Sequence, residues 1–161
     1  MYYHRLGSIP PKRHTQFRQP DGTLYQEELV TSAGFSGIYS TLYHIHPPTR
    51  IKLIKDPIRF APSKNEAYDL RHCHLNTSGV KSTGTDYLSA RKVLLMNNDC
   101  SISICSPSIR KMDYFYKNAE GDEVLYIHDG NGVLISPFGK LEIRQGDYVV
   151  IPRTVIYKLE F

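Results

Sequence analysis

Tryptophan is absent from this 161-residue chain, and long apolar runs and closely spaced cysteine pairs are absent as well. The longest apolar runs, such as VLLM and YVVIP, are far shorter than the roughly 20 residues of a membrane helix, so we expect no membrane span. The first stretch, MYYHRLGSIP, has no apolar core of about 7–15 residues, which argues against a signal peptide. Cys73, Cys100 and Cys105 show no CxxC spacing, and free thiols in a cytoplasmic protein are the simplest expectation.

Several signatures of catalysis and of nucleic-acid binding are also missing. The chain has no GxSxG nucleophile motif and no glycine-rich phosphate loop ahead of a helical pattern. Its formal charge of +4 comes from scattered Lys and Arg, apart from PPKRHTQFR near the start. Because no recognisable nucleic-acid module accompanies that stretch, we interpret it as a solvated arm and expect no nucleic-acid partner.

The chain is rich in tyrosine, with twelve, and in short segments typical of β-strands. From residue 91 on, apolar segments follow at intervals of roughly eight to ten residues, separated by turns, which is typical of a sandwich or barrel. They are RKVLLM, SISIC, MDYFYK, EVLYIHD, GVLISP, KLEIR, DYVVIP and VIYKLEF.

Residues 1–90 have a different texture, rich in Pro, Gly, Ser and Thr. They contain two strand candidates, TLYQEELV and GIYSTLYHIH, and one segment, SKNEAYDLRH, with room for a helical turn or two. The sequence therefore predicts an all-β fold with little helix. We expect an irregular arm with the first strands over 1–90 and a β-meander over 91–161, together one domain and a piece of a longer chain.

Two pairs of residues in the second part have a specific spacing. Six residues separate Glu123 from Gly130, and five separate Gly146 from Pro152. These spacings resemble the two sequence blocks of the cupin family, a β-barrel of jelly-roll type. The glycines suit tight turns, where a positive φ has no steric cost for a residue without Cβ.

The positions that hold metal ligands in that pattern are filled differently here. The two histidine positions before Glu123 hold Tyr116 and Asn118, and the histidine position of the second block holds Tyr157. A mononuclear iron of the facial-triad kind needs two imidazoles and a carboxylate, so we predict a degenerate site without metal. His128 follows Glu123 and cannot fill positions that precede it.

A second resemblance covers essentially the whole chain. The segments KRHTQF, DGTLYQEEL, GFSGIYSTLYHIHPPT and NAEGDEVLYIHDGNGVLISPFGKLEIRQGDYVVIPR together resemble the amino-terminal half of the homogentisate 1,2-dioxygenases, in their bacterial branch. The resemblance implies a non-haem iron(II) enzyme of tyrosine and phenylalanine catabolism. Such an enzyme opens the ring of homogentisate, a small aromatic substrate, with O2 to give maleylacetoacetate.

The same resemblance implies what this chain lacks. In the family the iron ligands, two His and one Glu, and the acid/base histidine lie in the carboxy-terminal half, so no catalytic residue can be placed on this sequence. The implied partners are that catalytic cupin half and further copies of the chain, in a trimer or a hexamer.

Two other readings stay open. His44 and His46 in a strand would point to one face and, with Glu27 or Glu28, would form a metal triad of a small enzyme, although two prolines follow at once. The HCH stretch at 72–74 reads as a loop. The chain is alternatively a stand-alone, metal-free cupin that acts as a binding or interaction module.

Overall fold

The structure is a computed structural model that describes residues 16–58, 63, 72, 74–80 and 84–161. Within these residues the regular structure consists of β-strands, with no helix, so the predicted all-β class is confirmed. The candidate helical turn in SKNEAYDLRH lies outside the described residues, apart from its two ends. In the described part of the chain no helix is long and apolar enough to cross a membrane.

The chain divides into two compact units. The first contains the described residues up to Asp56 together with the turn Pro137–Gly139, and the second contains Pro57–Ser136 and Lys140–Phe161. That division falls well before residue 90, where the sequence changes texture. That the whole chain forms one domain stays a prediction.

The described part of the first unit is built on one β-hairpin. Strand β1 (Gln26–Ala33) pairs antiparallel with β2 (Ser36–His44), in a register that sets Gln26 opposite His44. Gly34 in the connecting turn has φ +57°, a left-handed conformation that glycine adopts without strain. The strand ends at His44, just before the prolines that cannot donate to a ladder.

The described residues of the second unit form seven strands. They are β3 (Arg91–Met96), β4 (Ser101–Cys105), β5 (Glu123–Tyr126), β6 (Asn131–Ser136), β7 (Gly139–Arg144), β8 (Tyr148–Ile151) and β9 (Lys158–Glu160). β3 and β4 form a hairpin, β5 pairs antiparallel with β8, and β6 lies between β7 and β9. The β6–β7 hairpin is therefore nested inside the β5–β8 pair, an order typical of Greek-key and jelly-roll sheets. The complete jelly-roll connectivity stays a prediction.

The hydrophobic core lies in the second unit. Alternation along the strands explains which residues reach it, because successive side chains of a strand point to opposite faces. In β8, Val149 and Ile151 are buried whereas Tyr148 and Val150 are exposed. Among the described residues the buried apolar ones are Tyr87, Leu88, Ala90, Met112, Ile127, Leu134, Ile143, Val149, Ile151, Tyr157 and Leu159.

The segment MDYFYK is not the strand that its sequence predicted. Ladder pairing with the β9 region is limited to isolated bridges, one between Lys111, the residue before the segment, and Glu160, and one between Tyr116 and Tyr157. Between those bridges the segment has two more residues than the strand it faces, so Asp113–Phe115 cannot stay in register. The excess residues interrupt the ladder, as in a β-bulge, and a sequence pattern does not reveal this mismatch.

Candidate functional site

A tight turn places the first two residues of the site. Asp86 accepts hydrogen bonds from the backbone N–H of Leu88 and from the hydroxyls of Ser89 and Tyr114. These bonds, the Ser89 hydroxyl foremost, lower the pKa of Asp86 to about 2. Because the carboxylate holds this turn just ahead of β3, Tyr87 and Arg91 both enter the core region from one short segment.

Glu123 at the start of β5 is the centre of the site. Its side chain is only 9% exposed, and both of its oxygens accept hydrogen bonds. Arg91 Nη1 donates to Oε1 at 2.6 Å, and the Tyr157 hydroxyl donates to Oε2 at 2.6 Å. A buried carboxylate needs such partners, since removing an unpaired charge from water is costly.

Tyr157 joins the other members together. Its backbone N–H and C=O exchange 2.8 Å hydrogen bonds with Tyr116, which fixes the two residues side by side. Its hydroxyl oxygen accepts from Arg91 Nη2 at 3.2 Å and lies 3.3 Å from the Tyr87 hydroxyl. Because the Tyr157 proton goes to Glu123, Tyr87 is the donor in that last bond.

Aromatic rings enclose the guanidinium of Arg91. Its central carbon lies 4.3 Å from the centroid of the Tyr87 ring and 5.3 Å from that of Tyr116. The Tyr157 ring packs edge-on against both, with centroid distances of 6.3 Å and 5.6 Å. We call Tyr87, Arg91, Tyr116, Glu123 and Tyr157 the Arg91 cluster.

The three phenols of the cluster are held in their neutral form. Burial raises the pKa of Tyr87 to about 12, although Arg91 opposes the shift. Burial, the neighbouring Tyr87 and the hydrogen bond to Glu123 raise the pKa of Tyr157 well above its ordinary value. Burial and the Glu123 carboxylate likewise raise that of Tyr116. The cluster therefore pairs the carboxylate of Glu123 with the guanidinium of Arg91 among three neutral phenols.

The positions that the cupin spacing assigns to metal ligands do converge, with one exception. Tyr116, Glu123 and Tyr157 meet in the Arg91 cluster. Asn118 lies apart from it, because its side-chain oxygen accepts from the backbone N–H groups of Glu120 and Gly121 and caps a turn.

The cupin resemblance implies a metal at this place, and the residues present do not fit one. The carboxylate has both oxygens engaged, the tyrosines are neutral phenols, and a guanidinium already supplies the positive charge. Among the described residues no group of three or more His, Cys, Asp or Glu side chains is arranged to hold a metal ion.

The sequence pattern missed two members of the cluster, Arg91 and Tyr87. Arg91 lies 32 residues before Glu123 along the chain, and Tyr87 lies 70 before Tyr157. The signal in the sequence is Glu123 itself. A carboxylate on the core-facing side of a strand requires a cation, and where no metal ligands accompany it, that cation is a Lys or Arg side chain. Nothing in the pattern says which of the 20 Lys and Arg residues provides it.

The alternative histidine pair is not brought together in a metal-binding arrangement. His44 ends β2 and its Nε2 lies 2.8 Å from Glu28 Oε2, a diagonal neighbour on the same face of the hairpin. His46 lies beyond the strand end, where it lines a shallow depression with Arg50 and Lys52. Two adjacent cationic side chains disfavour a metal ion at His46.

The remaining candidates are exposed or take part in local structure. His128 is exposed beyond the end of β5, and its carbonyl accepts from Gln145. Cys100 and Cys105 are free thiols, as predicted, whereas Cys73 lies outside the described residues. His72 and His74 are exposed.

The glycine positions of the cupin spacing share one backbone conformation. Gly130 has φ +88° and Gly146 has φ +92°, which confirms the prediction of tight turns. Two residues after Pro152 the second cupin block has a further glycine; this chain has Thr154 there, and its φ is +72°. A β-branched residue rarely adopts this conformation, so the backbone keeps the shape of the pattern even where the residue departs from it.

Comparison with models of known protein families gives no match. A protein of Saccharolobus solfataricus with the name "Putative dioxygenase" is 38% identical to the chain over 161 residues, which is 100% of this chain. The chain spans 41% of the length of that protein.

Proposed function

We propose that this chain is the amino-terminal, non-metal-binding barrel of a two-barrel homogentisate 1,2-dioxygenase. The whole enzyme is an iron(II) protein that converts homogentisate and O2 to maleylacetoacetate. The similarity to a protein named as a dioxygenase, of which this chain spans less than half, supports the general activity. The segment resemblance described above supports the substrate.

One observation carries the non-metal role of this barrel. Tyr116, Glu123 and Tyr157 converge as the cupin spacing predicts, but a guanidinium lies among them. The left-handed turns at Gly130, Gly146 and Thr154 keep the backbone pattern of the cupin blocks, while the ligand chemistry is replaced. This combination is what an architectural copy of a metal-binding barrel requires.

In this proposal the barrel supports the catalytic half and the assembly of copies into a trimer or hexamer. The outward face of the β5–β8 sheet supports such a role. Val124, Tyr126, Tyr148 and Val150 all point outward there and are 51–72% exposed. Because Val149 and Ile151 on the opposite face are buried in the core, both faces of this sheet carry mainly apolar side chains, as expected for a sheet that another surface covers.

The test compares the full-length protein with the 161-residue chain. We expect the full-length protein to contain iron by elemental analysis and to consume O2 when homogentisate is added. Gentisate, whose carboxyl group is attached directly to the ring, serves as the control substrate. Stoichiometric iron in the 161-residue chain, together with O2 uptake on homogentisate, would refute the proposal.

A second candidate function is a stand-alone, metal-free barrel that acts as a binding module. The same exposed β5–β8 face favours it, since an apolar patch on a small protein often marks a binding surface. The mass of the protein isolated from its natural host separates the two functions. A mass near 18.5 kDa indicates the module, whereas a mass more than twice that value indicates the enzyme half.

A further inference from the structure

The Arg91 cluster contains a cation that the chain itself supplies. The guanidinium donates to Glu123 at 2.6 Å and to the Tyr157 hydroxyl at 3.2 Å. Its central carbon lies 5.3 Å from the Tyr116 ring. One positively charged group therefore contacts three of the four positions that the cupin spacing reserves for metal ligands.

The surroundings of this cation suit a planar, singly charged ion. Guanidinium is weakly hydrated, stacks on aromatic rings and donates in several directions in one plane. Here it has the rings of Tyr87 and Tyr116 within 5.3 Å, a carboxylate to accept one N–H and a phenol oxygen to accept another. The Arg91 side chain is 16% exposed, so solvent screens these contacts little.

The cluster offers few suitable ligands to a divalent metal ion. The cluster as defined has one carboxylate, and a single negative charge is balanced by the single positive charge of Arg91. Metal ions of the iron and zinc type prefer imidazole, thiolate or several carboxylates, none of which the cluster contains.

We infer that the Arg91 cluster is a guanidinium-binding site whose resident ligand is the Arg91 side chain, and that shortening this side chain leaves a site that binds a free alkylguanidinium ion rather than a divalent metal. This inference concerns residues of this chain and does not depend on the dioxygenase assignment.

The test is chemical rescue of Arg91→Ala in the 161-residue chain. Truncation leaves Glu123 without its cation, and we expect the melting temperature to fall by about 10 °C, as for other broken, nearly buried pairs in proteins of this size. Ethylguanidinium at millimolar concentration, which replaces the missing atoms, should restore at least half of that loss. Urea, which is planar but uncharged, should restore none.

Arg144→Ala provides the matched control. Arg144 is 77% exposed and its distance to Glu142 is 3.6 Å, so its removal should change the melting temperature little. Neither that variant nor the wild-type chain should respond to ethylguanidinium. A folded Arg91→Ala chain that ethylguanidinium fails to stabilise, or that iron(II), manganese(II) or zinc stabilises more, overturns the inference.

A further measurement decides the matter if Arg91→Ala does not fold. Arg91→Met keeps most of the side-chain volume without the charge, and ethylguanidinium should not raise its melting temperature, because the methionine side chain fills the site. We expect calorimetric titration with iron(II), manganese(II) and zinc to show no metal binding at Glu123. The wild-type chain and Glu123→Gln should therefore give the same titration. Stoichiometric metal binding that is lost in Glu123→Gln would overturn the inference without any Arg91 variant.

Discussion

Replacing Tyr157 by phenylalanine removes one hydroxyl from the centre of the Arg91 cluster and leaves the aromatic ring in place. The ring keeps its edge contacts with Tyr87 and Tyr116, and it stays within a fully buried position. The change is therefore confined to polar contacts. Glu123 loses a 2.6 Å donor, and Tyr87 and Arg91 each lose an acceptor.

The expected loss in the free energy of unfolding follows from those contacts. A hydrogen bond to a charged group contributes about 1.5–3 kcal/mol, and a nearly buried carboxylate that loses a donor is at the upper end of that range. Arg91 still donates to the other carboxylate oxygen, so the charge stays paired. We expect Tyr157→Phe to lower the free energy of unfolding by about 2–3 kcal/mol. That corresponds to a melting temperature lower by roughly 4–12 °C.

Urea unfolding followed by circular dichroism measures this change, with Tyr148→Phe as the control. Tyr148 is 72% exposed, and its substitution should alter the free energy of unfolding by less than about 0.5 kcal/mol. In a double-mutant cycle, Tyr157→Phe and Glu123→Gln together should cost less than the sum of their separate effects, since each removes the same bond. Additive effects, or a Tyr157→Phe chain as stable as wild type, would refute the assignment of Tyr157 as the donor to Glu123.

Three further predictions concern the backbone and pH. Thr154→Gly should raise the free energy of unfolding by about 1 kcal/mol, because relief of the strained φ of +72° outweighs the added freedom of the unfolded chain. Gly132→Ala should lower it by about 1–3 kcal/mol, since the new Cβ would lie 2.5 Å from the Glu160 carbonyl oxygen and force β6 away from β9. Asp86 stabilises the fold as a carboxylate whose pKa is about 2 rather than 3.8, so its contribution is complete above pH 3.8 and is lost as the pH falls through about 2. The excess stability of wild type over Asp86→Asn, measured by urea unfolding at pH 6 and near pH 2, should therefore shrink in acid.

Matched positions control for the substitutions themselves. Thr41 lies within β2 and has no positive φ, so Thr41→Gly should destabilise the chain. A stabilising effect there would mean that glycine stabilises the chain for a reason other than relief of a positive φ. Gly121→Ala should be tolerated, because nothing lies within 4 Å of its added Cβ. An Asp86→Asn difference that stays constant from neutral to acid pH would contradict the role of its charge.

The sequence predicted the strands well where turns and alternation coincide. β3 and β4 have the predicted bounds, and β6, β7 and β8 begin or end within a residue of theirs. Local patterns suffice there because glycine turns and period-two alternation are properties of neighbouring residues. MDYFYK was wrong because its regularity depends on register with a distant segment, 157–160, that has two residues fewer.

By itself the sequence determined the all-β class, the left-handed turns at Gly130 and Gly146, and the ligand positions that hold no histidine. Its spacing also identified three residues, Tyr116, Glu123 and Tyr157, that the fold brings together. Only the tertiary structure decided that Arg91 lies among them, because a buried carboxylate requires a cation but does not specify where in the chain that cation is. The packing of the core selects it, because this packing sets Arg91 at the start of β3 beside Glu123 at the start of β5. Such packing is a property of the whole fold rather than of any local pattern.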